Sequence, residues 1–169
     1  MGLIIMIIFS MILKVTSPRE ITNSIDYNLA LVIVLSLALG TAMIKSGAAV
    51  LAANGVISAF LPLGKIGVLL GIYLITALLA AYFTTKAAVA IVFPIALSVA
   101  QQLGVTATPL ILAVAYAAAC TFITPHGYVT NLMVYGPGGY SFRDFMRIGL
   151  PLNLIYMVVA VFILALIYF

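Results

Sequence analysis

Residues 66–103 read IGVLLGIYLITALLAAYFTTKAAVAIVFPIALSVAQQL. Two apolar runs, 66–83 and 87–100, meet at Thr84-Thr85-Lys86, and the second stops at Gln101-Gln102. About 18 apolar residues suffice to cross a bilayer. Lipid gives backbone groups no hydrogen-bond partners, so a spanning chain must be helical or a closed barrel. Long apolar runs such as 29–44 lack the two-residue alternation of a barrel strand. The expectation is an all-α membrane protein.

Composition agrees. Of 169 residues, 66% are apolar and 6% are charged. A soluble domain carries about 25% charged residues, so most of this surface must face lipid. Seven basic and three acidic residues give a net charge of +4. The basic residues are not clustered on one face, so no nucleic-acid partner is expected. Cys120 is the single cysteine. It allows no internal disulfide or cysteine-rich metal site, and its apolar surroundings read as packing.

The chain divides into short loops and helices within one transmembrane domain, residues 1–169. Residues 1–13 read as a partial span, because the run is short and lacks the flanks of a signal peptide. Starting part-way through a membrane suggests a piece of something longer. Residues 14–28 hold Lys14, Arg19, Glu20 and Asp26 and read as a cytoplasmic loop with a short helix after Ser17-Pro18. Residues 29–45 are a span. Residues 46–61 lie between Lys45 and Lys65 and end at Pro62. Ser46, Asn54 and Ser58 share an arc of roughly 120°, but apolar residues share it too. A helix near the membrane surface is expected there. Thr108-Pro109 starts a helix, with Thr108 as its cap, that runs to Thr124 and breaks at Pro125-His126-Gly127. The broken span covers 107–140, and 148–168 is the final span. Lys14, Arg19, Arg143 and Arg147 outweigh Lys45 and Lys65, which puts the former on the cytoplasmic side and the carboxy terminus outside.

Chemistry has two places to sit: Thr84-Thr85-Lys86 and Thr124-Pro125-His126-Gly127. Each interrupts a helix, exposing carbonyls that suit cations and amides that suit anions. The Thr-Thr-Lys stretch admits two readings, the tip of a re-entrant hairpin or a tight turn between two full spans. The Pro-His-Gly stretch admits a kink, and His126 a hydrogen-bonded packing role. Enzyme readings fail. There is no His-Glu-x-x-His motif, the acidic residues all lie in polar loops, and the serines lack a nearby base.

Three stretches together resemble one family. They are SPREITNSIDYNLALVIVLSLALGTAMIKSGAA from residue 17, TTKAAVAIVFPIALSVA from residue 84, and TPHGYVTNLMVYGPGGYSFRDFMRIGLPLNLI from residue 124. The chain resembles the divalent anion/sodium symporters, which include sodium–sulfate and sodium–dicarboxylate symporters. It is most similar to the branch with soluble regulatory domains inserted between two transport halves. The resemblance implies one of two inverted repeats, with scaffold helices, a re-entrant hairpin over 62–104 and a broken helix. It also supports the surface helix before the hairpin. It implies a site for substrate anion and sodium at Thr84, Thr85, Lys86 and Ala87 on the tip, with Thr124, Pro125, His126 and Gly127 at the break. No catalytic residue or resident cofactor is implied. Sodium is the candidate coupling ion, and the implied partners are a small anion, the lipid bilayer, a companion first-repeat half and a second copy in a homodimer. The implied location is the cell membrane.

Two departures qualify this. Where the family's tip motif has asparagine, this chain has Thr85, followed by Lys86. An ammonium cannot ligate sodium, so Lys86 stands for a replaced ion, a direct anion contact or a degraded gene. Only one repeat is present, so the chain is a transporter half, a fragment of a longer product, or a non-transporting membrane subunit that keeps the fold without the site.

Overall fold

The computed structural model describes residue 9 and residues 27–169. Apart from Phe9, the expected partial span over 1–13 lies outside the described residues, as do the charges expected over 14–26. The chain forms two compact units, Met1–Leu35 and Ser36–Phe169. In the first, Leu31, Val34 and Leu35 are exposed apolar residues on a helix.

That helix, α1, is Tyr27–Lys45 and carries Lys45 in its last turn, where a cation suits the helix dipole. It is followed by α2 (Ala48–Phe60), a 3-10 turn over Leu61–Leu63 that contains Pro62, and α3 (Gly64–Tyr82). Then come α4 (Thr85–Leu103), α5 (Thr108–Ala119) and a second 3-10 turn, Pro125–Gly127. Helices α6 (Val129–Tyr135) and α7 (Phe142–Tyr168) complete the chain. No strand occurs among the described residues. Ala48–Tyr82, Thr85–Leu103 and Phe142–Tyr168 are long and apolar enough to cross a membrane. The protein is an all-α membrane protein.

The core lies where α3, α4 and α5 pack on one another, with α2 on α4 and α7 on α5. Ala49, Ala53 and Val56 recur at helical spacing and give α2 one buried face. Leu69, Ile72 and Tyr73 from α3 meet Val92, Ala96 and Val99 from α4 and Ala113, Val114 and Ala117 from α5. The alanines let helix backbones approach closely, as membrane helices require in place of a hydrophobic drive. The opposite surface is apolar: Ile155, Phe162 and Leu166 on α7 are 63%, 66% and 75% exposed, as a lipid-facing helix should be.

Helix ends differ from the sequence expectation at three places. Thr108 is the first residue of α5 rather than its cap, which is Ala107, and Pro109 takes the second helical position. Helix α5 ends at Ala119, five residues before Thr124, because Cys120 leaves helical geometry (φ −98, ψ 70). Helix α7 starts at Phe142 because Ser141 and Asp144 form a reciprocal capping box, with Ser141 N–H donating to Asp144 Oδ2 at 2.9 Å. Gly104 closes α4 in the left-handed region (φ 62), which glycine adopts without steric cost.

Tyr73 is fully buried and its hydroxyl has no hydrogen-bond partner among the described residues, although the Cys120 thiol lies beside it. An unmatched buried polar group costs about 1–3 kcal/mol. Tyr73→Phe should therefore keep or raise stability, by about 1 kcal/mol, in thermal unfolding followed by circular dichroism. A clear loss would reveal a partner for the hydroxyl.

Candidate functional site at the hairpin tip and the helix break

Helices α3 and α4 form a hairpin joined by only Phe83 and Thr84. Thr84 is extended (φ −149, ψ 154) and its hydroxyl oxygen accepts the Ala87 N–H at 3.2 Å. Thr84 is thus the N-cap, and Thr85 and Lys86 are the first two residues of α4. This is the β-region cap geometry that threonine favours. Thr84 and Lys86 are exposed, while Thr85 and Ala87 are half-buried.

The break runs from Cys120 through the Pro125–Gly127 turn. Thr124 and Pro125 are buried, Gly127 is buried and His126 is exposed. A Cβ on Gly127 would lie 2.8 Å from Thr121 Cβ and 3.2 Å from Thr124 Oγ1, so the loop can fold over itself only with glycine there.

Tip and break are joined by two hydrogen bonds that run in opposite directions. Thr124 Oγ1 donates to the Ala81 carbonyl at 2.7 Å, and this pair is buried. Thr85 Oγ1 donates to the Gly127 carbonyl at a longer 3.4 Å. Ala81 belongs to the last turn of α3, whose final carbonyls have no intrahelical donor. Thr124 supplies one. The structure therefore brings Thr85 together with Thr124 and Gly127. Lys86 and His126 are exposed side chains on the first turn of α4 and on the 3-10 turn. Among the described residues, no group of three or more His, Cys, Asp or Glu is placed to hold a metal ion.

Two residues of this site escaped the sequence reading. Asn131, on α6, donates from Nδ2 to the Thr121 carbonyl at 2.7 Å and to the Thr124 carbonyl at 3.2 Å. An amide inside the apolar stretch VTNLMV was the signal, since a polar group at membrane depth needs a partner. Gly149, on α7, lies against the break. A Cβ there would fall 2.1 Å from the Phe122 carbonyl oxygen. On the same side, a cavity of about 310 Å³ is lined by Phe122, Asn131, Val134, Phe145, Gly149 and others.

A family model described as citrate transporter matches residues 1–169, the whole chain. The chain belongs to the citrate transporter family. Members of the family and its relatives are transporters, not enzymes. The chain is 40% identical over 151 residues to an uncharacterized transporter of Synechocystis sp., covering 89% of this chain and 25% of that protein. It is 39% identical over 143 residues to a probable sodium/sulfate cotransporter of Chlamydomonas reinhardtii, covering 84% of this chain and 16% of that protein. An uncharacterized transporter of Escherichia coli is 32% identical over 139 residues, covering 82% and 23%. The chain thus spans a quarter or less of the length of these citrate transporter relatives.

Proposed function

We propose that this chain is one half of a secondary active transporter that moves a small multivalent anion, such as sulfate or a di- or tricarboxylate, together with a coupling cation. A companion half completes the site, the hairpin tip enters the membrane from outside, and the carboxy terminus lies outside. The cell membrane is the proposed location. The observation that carries this reading is the joining of two helix interruptions by the Thr124–Ala81 and Thr85–Gly127 bonds. A turn at a membrane face and a mere kink would have no reason to be stitched together. The family description, which names citrate, and the relatives named for sodium and sulfate support the substrate class.

Lys86 gives the site its charge preference. It sits on the first turn of α4, where the amide ends of the helix already present partial positive charge. No predicted span of this chain contains a carboxylate to pair with it. An incoming divalent anion supplies the counter-charge. Charge-assisted hydrogen bonds contribute about 1.5–3 kcal/mol, so Lys86→Ala should raise the half-saturating anion concentration by about tenfold or more. Thr85→Asn with Lys86→Asn should increase dependence on sodium, since an amide oxygen ligates the ion. The measurement is sulfate and citrate uptake across a sodium series, with the chain reconstituted beside a matching first half. Unchanged uptake and sodium dependence in Lys86→Ala would remove Lys86 from the site.

A further inference from the structure

A helix broken inside a membrane frees carbonyls, and each must find a donor or a cation. At this break two of them already have a donor. The Asn131 side-chain nitrogen lies 2.7 Å from the Thr121 carbonyl and 3.2 Å from the Thr124 carbonyl. A carboxamide nitrogen has two N–H groups, so both are engaged. Since both partners only accept, they also fix which end of the amide faces the break. Thr121 and Thr124 are 2% and 5% exposed, so bulk water does not compete for these oxygens. The position that bridges the two carbonyls is filled by a nitrogen with partial positive charge.

We infer that Asn131 is a built-in substitute for a cation at this break. Its amide draws together the two carbonyls that a bound sodium ion would otherwise bridge, and so makes the break's geometry independent of sodium. The inference rests on reading tip and break as the transport site. Asn131 is a positioning residue there: it acts through the Thr121 and Thr124 backbone. Coupling to a cation, where it occurs, must then draw on ligands outside this bridge.

Asn131→Asp tests this with almost no change in shape. The carboxylate removes both donors and places two acceptor oxygens against two carbonyls, an arrangement that only a cation or a proton can relieve. Cys120, buried at 3% exposure directly before Thr121, reports opening of the break through its rate of reaction with a small maleimide. The 169-residue chain in detergent is labelled in sodium chloride and in choline chloride at alkaline pH. Wild type should label at the same rate in both salts. Asn131→Asp should label about tenfold more slowly in sodium at roughly ten times the ion's dissociation constant. Sodium-dependent labelling of wild type overturns the inference, as does equal labelling of Asn131→Asp in both salts. If the variant does not fold, the wild-type comparison decides alone, with equal rates supporting the substitution of amide for ion. The readout involves no uptake, so failure of the transport reading leaves it intact.

Discussion

Gly149→Ala should destabilise the protein by about 2 kcal/mol, although alanine is the better helix former. Replacing an exposed helical glycine by alanine gains about 1 kcal/mol. At residue 149 the new methyl would lie 2.1 Å from the Phe122 carbonyl oxygen, 2.5 Å from its carbon and 3.0 Å from Ile123 Cα. All three are backbone atoms, so no side chain can swing aside. Overpacking costs about 1–3 kcal/mol even where side chains can adjust, and more where they cannot. The clash therefore wins, and α7 must move away from the break or the break must unfold. Gly55 on α2 is the internal control. Nothing lies within 4 Å of a Cβ built there, so Gly55→Ala should gain about 1 kcal/mol. Thermal unfolding by circular dichroism distinguishes the two: the midpoint should fall for residue 149 and rise for residue 55. Equal shifts would show that α7 does not lean on the break through Gly149.

Thr124→Val should unhook the hairpin tip. Valine keeps the shape and removes the hydroxyl that reaches the Ala81 carbonyl at 2.7 Å. That carbonyl then remains buried at the end of α3 without a donor, at a cost of about 1–3 kcal/mol. Local opening governs access to the neighbouring Cys120. A change of about 2 kcal/mol in that opening speeds labelling roughly thirtyfold. Thr124→Ser keeps the donor and loses one methyl, worth about 0.8 kcal/mol if fully buried, so its labelling should rise only a few-fold. Valine and serine variants that behave alike would assign Thr124 a packing role instead.

The sequence disclosed the helices because their signal is local. Apolar runs of spanning length, the Ser17-Pro18, Thr108-Pro109 and Pro125-Gly127 punctuation, and the charge of Lys45 at a helix end all act over a few residues. The two interruptions were legible for the same reason. What joins them was not. The donor for the Ala81 carbonyl is 43 residues away, and nothing near Ala81 marks it. The end of α5 at Ala119 also escaped. AAACTFIT reads as continued apolar helix, and only the distant Asn131 amide and the Gly149 backbone give its unwound carbonyls and close packing a place to go. Thr85 and Thr124 entered through a resemblance to other chains. Asn131 entered only through geometry.

The stitch between tip and break also orders the protein's synthesis. Hairpin α3–α4 leaves the ribosome complete, with its Thr84 cap formed, before Thr124 exists. The bonds Thr124–Ala81 and Thr85–Gly127 close loops of 43 and 42 residues. Until then the last turn of α3 carries an acceptor with no donor, which lipid will not satisfy. The nascent hairpin tip is therefore obliged to wait in contact with water, in the insertion machinery or at the bilayer surface. It can settle at depth only when the second interruption arrives to complete its hydrogen bonding, so the emergence of Thr124 is the event that licenses its burial.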